Sequence, residues 1–201
     1  MELPQHWPLA DADTLRDELI AAYDAPGRDF HDTHHLRAVL DRLIVLADAG
    51  TPFASLPVTL AAWFHDSRYD GERDSEERAA AWAREALAPH LSAADLEEVT
   101  RLVLLTETHL ADAGDLNGAA LSDADLGVLA GPRDEYADYL SCVRREFSYL
   151  DDDQFHTGRT HLIEKLLGRT TIFQTSHAQK AWEAQARTNL ADELAAMGVR
   201  Q

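Results

Sequence analysis

The chain has one cysteine, Cys142, among 201 residues. That excludes an internal disulfide framework and any multi-thiolate metal site, so a metal here needs His and carboxylate ligands, which suit hard or borderline cations. Basic residues are scarce as well: eighteen Lys and Arg face thirty-six Asp and Glu, a formal charge of −18 with no basic cluster. Such a surface repels polyanions and excludes nucleic acid and anionic membrane as expected partners. A small phosphorylated ligand, held by a few arginines or by a metal, stays open. No stretch approaches the ~20 apolar residues of a membrane span. The beginning MELPQHWPLADAD has neither the basic start nor the apolar core of a signal peptide, so a soluble, cytoplasmic protein is expected.

What is present is a hydrophobic content of 45%, enough for a core, distributed with helical spacing and without sustained strand-like alternation. The expectation is an all-α fold in a single domain, since no repeat or low-complexity linker suggests a boundary. Helices are predicted over 13–23, stopped by Ala25, Pro26 and Gly27; from Asp32 to Ala49; and from Pro57 to Asp66. Ser75 is expected to cap a helix reaching Leu87, and Ser92 with Asp95 one running through Thr108. A loop over 111–121 follows, then a helix from Pro132 to Tyr149 and another after Asp151–Asp153 that ends at Gly168. One last helix is predicted from Ser176 to Met197, with Trp182, Ala186, Leu190 and Leu194 as a core-facing stripe.

Three of the ten histidines fall within RDFHDTHHL, residues 28–36. With Asp32 as the cap, His35 sits in the first turn and His31 just before it, so both imidazoles approach one helix end while His34 points elsewhere. In WFHDSRYDG, His65 and Asp66 close an apolar run. Successive helical residues diverge by ~100°, so these two share a target only if it lies beyond the helix end, as a metal ion would. A carboxylate with an imidazole suits manganese, iron, cobalt, nickel or zinc. In LSDADLGVLAG, either Asp123 or Asp125 is available to complete such a set.

The order of these residues in an all-helical chain resembles the HD superfamily of metal-dependent phosphohydrolases, with His35, His65, Asp66 and Asp125 at the matching positions. The resemblance narrows to a small bacterial group of predicted metal-dependent HD phosphohydrolases. It rests on Phe30-His31 with His35, AAWFHDSRYDG followed by DSEERAA, Thr106 to His109, Asp123 to Leu126, and the closing FQTSHAQKAWEAQARTNLADEL. It covers nearly the whole chain. Two positions depart from the group's pattern: His34 stands where an acidic residue is expected, and Asp32 where asparagine is.

The resemblance implies an HD-type helical bundle with one divalent transition metal, or magnesium, held by His35, His65, Asp66 and Asp125. It implies hydrolysis of a phosphate ester or anhydride of a small metabolite, nucleotides among the candidates. Asp70 matches an acidic position that assists the attacking water, or is a turn residue before Gly71; Glu77 is a catalytic candidate that would equally stabilise a helix dipole. Arg68, Arg73 and Arg78 are candidates for substrate phosphate, or form surface ion pairs. His31 and His109 are open between supporting a ligand, contacting substrate and binding a second metal. The last role would fit a di-iron oxygenase, and a non-catalytic metal- or ligand-binding protein is the third alternative. Oligomeric state is not readable from the sequence.

Overall fold

In the chain's computed structural model, residues 2–69 and 74–198 are described. Among them are ten α-helices and no strand: α1 (Asp13–Tyr23), α2 (Thr33–Asp48), α3 (Ser55–Phe64), α4 (Ser75–Leu87), α5 (Ala93–Leu105), α6 (Leu116–Leu126), α7 (Arg133–Glu146), α8 (Asp152–Leu167), α9 (Ser176–Ala181) and α10 (Glu183–Ala196). Two 3-10 turns, Leu3–His6 and Gly127–Ala130, complete the regular structure. The expected all-α fold is what forms. No helix among the described residues is long and apolar enough to cross a membrane.

The bundle is built around α3, in which Pro57, Val58, Leu60, Ala61, Ala62, Trp63 and Phe64 are all buried. It packs against α2, α4, α5 and α6. Each large apolar side chain taken from water contributes ~1.5–3 kcal/mol, so α3 cannot slide along its axis without a large loss. The residues that follow it, His65 and Asp66, are therefore held at a fixed point. One continuous core runs from Leu9 to Leu194 and includes Tyr23, Leu36, Leu102, Leu121, Phe173 and Leu190. Ala186, Leu190 and Leu194 are buried and Trp182 packs against that core, so the expected C-terminal stripe does face inward.

Several boundaries differ from the sequence expectation for local chemical reasons. Helix α3 stops at Phe64, leaving His65 as its C-cap and Asp66 beyond its end. Asp74, with φ +63, takes the N-cap position of α4 instead of Ser75, whose hydroxyl donates to Glu76. Ser92 does cap α5, accepting from Asp95 N–H at 3.1 Å, but that helix ends at Leu105. The expected loop over 111–121 is half helix, because Asp115 accepts from Gly118 N–H at 2.9 Å and starts α6 there. The expected single last helix is broken at Trp182. The Glu183 carboxylate accepts N–H bonds from Ile172 and Phe173, anchoring the start of α10 to the preceding loop.

Candidate metal centre

Asp32 accepts from the backbone N–H of His34 at 2.8 Å and of His35 at 3.1 Å, as expected of an N-cap. His35 is turned inward and buried, while the His34 side chain is 75% exposed. From the end of α3, the buried His65 Nδ1 lies 2.8 Å from the carbonyl oxygen of Ala62. A carbonyl only accepts, so Nδ1 carries a proton there and Nε2 is the nitrogen turned to the site.

The backbone at Asp66 is clamped from two sides. Its N–H donates to Tyr23 Oη at 3.2 Å, and its carbonyl accepts from Arg28 Nη1 at 2.6 Å. Arg28 also bonds the carbonyls of His31 and Ser67, tying the approach to α2 to the segment leaving α3. Tyr23 belongs to no motif and Arg28 only opens the histidine-bearing stretch 28–36, so sequence reasoning missed the part both play. An apolar residue followed by tyrosine at a helix end, or an arginine after a Pro-Gly turn, carries no signal of a contact so far along the chain.

Four polar side chains from three segments then meet. His35 Nε2 and His65 Nε2 are 3.3 Å apart. Asp66 Oδ2 lies 3.3 Å from His35 Nε2 and 3.0 Å from His65 Nε2. Asp125 Oδ1 lies 3.1 Å from His35 Nε2 and 3.7 Å from His65 Nε2. Of the two aspartates that spacing alone left open, helix α6 turns Asp125, the one the resemblance named, toward the cluster. Asp123 is fully buried and instead accepts the N–H bonds of Gln174 and Thr175; burial lifts its carboxyl to about 6, and those bonds oppose the lift.

Burial opposes charge on all four groups, and their mutual attraction overrides it. Desolvation pushes both imidazoles down, yet the Asp125 and Asp66 carboxylates hold His35 above its ordinary pKa, and Asp66 holds His65 well above. Desolvation pushes the carboxyls up, yet His65 holds both Asp66 and Asp125 well below the carboxylate range. Two imidazoles and two carboxylates with converging lone pairs fit a divalent cation, which would replace the shared protons. His35, His65 and Asp66 each offer a ligand atom within 4.8 Å of the others, and Asp125 Oδ1 adds a fourth direction.

The other two histidines of interest lie beside this cluster. His109 Nε2 is 2.6 Å from Asp125 Oδ2, so the carboxylate is gripped on the oxygen that does not face His35. His109 has φ +52, a strained left-handed conformation, and its carbonyl accepts from Arg169 and Gln174. His31 Nδ1 is paired with Glu146 Oε1, and Glu146 Oε2 accepts the N–H bonds of Phe30 and His31. The His31 ring stacks on Tyr69 at 3.8 Å between centroids, and its Nε2 has no hydrogen-bond partner among the described residues. Glu146, another residue without sequence signal, reaches His31 from the far end of α7. Among the described residues His31 and His109 join no second metal-ligating group.

The remaining predicted residues that are described are not drawn into the cluster. The Arg68 guanidinium lies 4.0 Å from the ring centre of Trp82, and Arg78 Nη2 donates to the Arg68 carbonyl. Glu77 is exposed in the first turn of α4. Asp70 and Arg73 lie outside the described residues. Beside the His31–Glu146 pair opens a cleft of about 310 Å³, lined by Arg28, Tyr69, Glu146, Phe147 and Tyr149 among others. No protein-family model matches this sequence. No curated protein and no solved structure matches it either.

Proposed function

We propose that the chain is a metal-dependent phosphohydrolase that cleaves a phosphate ester or anhydride of a small metabolite in the cytoplasm, a nucleotide being one candidate. The observation that carries this reading is the convergence of His35, His65, Asp66 and Asp125, with the His65 tautomer set by Ala62 so that Nε2 is free to bind a cation. Manganese, cobalt, nickel, zinc, iron or magnesium held there would supply an acidified water and draw charge from phosphoryl oxygens.

The chain's own residues do the positioning. His109 holds Asp125 with one oxygen toward His35, and Tyr23 and Arg28 keep the backbone of Asp66 from rotating. Glu146 fixes the His31 ring so that Nε2 is the atom able to pass a proton to a leaving oxygen. The proton gained by the leaving group matches the one released by the attacking water. The cleft lined by Tyr69 and Glu146, the residues that hold the His31 ring, has room for a small organic moiety attached to the phosphate.

The test is elemental analysis of protein purified without chelator, wild type and Asp66→Ala, followed by phosphate release from a metabolite panel with added Mn²⁺, Co²⁺ or Mg²⁺. One metal equivalent, lost in the variant, together with metal-dependent phosphate release, supports the reading. Two equivalents of iron with oxygen consumption would replace it with an oxygenase. Metal binding without turnover of any panel member would replace it with a binding protein.

A further inference from the structure

A buried ion pair close to the candidate metal centre has no role in the scheme above. Arg159 on α8 is 7% exposed, and its Nε and Nη2 donate to Glu193 on α10 at 2.6 and 3.1 Å. Tyr136 donates to the same carboxylate at 2.5 Å. The third arm, Arg159 Nη1, donates to Tyr139 Oη at 2.8 Å. A buried pair of this kind adds little net stability, because desolvation offsets most of the attraction. What it does here is fix one phenol from two helices.

Tyr139 stands one ring away from His35, close enough for Asp125 to act on its phenol. Its ring meets Phe30 edge-on at 4.8 Å, and the Phe30 ring is 4.7 Å from that of His35. Arginine can only donate, so the phenol oxygen is the acceptor in that bond, and its own proton has no acceptor among the described residues. Burial lifts the phenol above its ordinary pKa; Arg159 opposes this, while Glu193 and Asp125 add to it. The group therefore stays protonated and remains a donor.

Three arginines among the described residues are already committed. Arg28 bonds three backbone carbonyls, Arg42 Nη1 bonds the carbonyl of Ala124, and Arg159 is taken by Glu193 and Tyr139. A phosphate beside Asp66 and Asp125 needs donors to offset carboxylate repulsion, and Tyr139 O–H, Tyr69 O–H and His31 Nε2 have no protein acceptor among the described residues; of the two phenols, Tyr139 is the one fixed by a buried arginine. We infer that Tyr139 contacts the substrate, its O–H donating a hydrogen bond to a non-bridging phosphoryl oxygen, with Arg159 and Glu193 as its positioning residues. This rests on the phosphohydrolase reading.

The experiment is calorimetric titration of Mn²⁺-loaded protein with inorganic phosphate, paired with hydrolysis of p-nitrophenyl phosphate, for wild type and Tyr139→Phe. The expected result is an unchanged manganese content and helical circular dichroism, with phosphate affinity and kcat/KM each lowered about tenfold, as for one lost hydrogen bond to a charged group. Equal phosphate affinity in the two fully loaded proteins would overturn the inference and leave the hydrolase reading intact. Loaded wild type that neither binds phosphate nor hydrolyses the ester would overturn both. Should the phenylalanine variant misfold, because Arg159 Nη1 loses its acceptor, 3-fluorotyrosine in place of Tyr139 keeps that bond and sharpens the donor. Tighter phosphate binding is then expected, and unchanged binding overturns the inference.

Discussion

Asp125 divides its two oxygens between two histidines: Oδ2 accepts from His109 Nε2 at 2.6 Å, while Oδ1 stands 3.1 Å from His35 Nε2. The left-handed backbone at His109 is part of that arrangement, since the turn after α5 has to swing the ring over α6. His109→Ala is expected to weaken metal affinity by roughly 10–100-fold, the usual cost of losing a group that orients a ligand. Metal-buffered titration checks this. A variant that binds metal as tightly as wild type would show that Asp125 holds its orientation unaided.

Stability of the metal-free protein should depend on pH in a defined direction. His35 and His65 are held above their ordinary pKa, so their contribution is complete below ~6.5 and is lost as pH rises through the folded values. Asp66 and Asp125 are held low, so theirs is complete above ~3.9 and is lost as pH falls through the folded values. The cluster therefore stabilises the metal-free chain most between those limits. Added Mn²⁺ should raise Tm progressively more as pH climbs past ~6.5, because the cation needs deprotonated ligands. Scanning calorimetry across pH, with and without metal, reads both trends; a Tm gain from metal that shrinks with pH would contradict the assignment.

Glu146→Gln should separate binding from turnover. The change keeps an acceptor for the N–H bonds of Phe30 and His31 but removes the charge beside His31 Nδ1. Under the proposed function kcat falls at least tenfold while metal content and KM change little. Steady-state kinetics on the best substrate of the panel provides the check, and an unchanged kcat would remove His31 from the proton path.

A purely structural prediction concerns Gly118. A Cβ there would lie 2.4 Å from Asp115 Oδ2 and 2.8 Å from Leu105 Cδ2. Asp115 cannot move freely, because Arg101 grips the same carboxylate. Gly118→Ala should cost ~1–3 kcal/mol by disturbing the cap of α6. Chemical denaturation measures it, and metal affinity should fall in parallel because α6 carries Asp125.

Much of this arrangement was visible in local pattern. The caps at Asp32, Ser92 and Asp151 and the turn at Ala25–Gly27 act within a few residues, so the elements they bound were close to the expected ones. The His65-Asp66 pair could be placed at a helix end because the apolar run before it had to be buried. The start of α6 was missed since its cap depends on Arg101 and on a glycine that lets Asp115 and Leu105 approach. The break at Trp182 was missed for a similar reason: Glu183 is held by backbone N–H groups of a loop outside the helical pattern.

From composition and periodicity alone came the all-helical architecture and the need for His and carboxylate ligands in any metal site, because both depend on residue type and short spacing. What orients Asp125, and that Glu146 and Arg28 brace the segments around it, were decided only by the packed bundle. Those contacts join segments separated by long stretches of chain, and nothing in the local sequence encodes the distance between them.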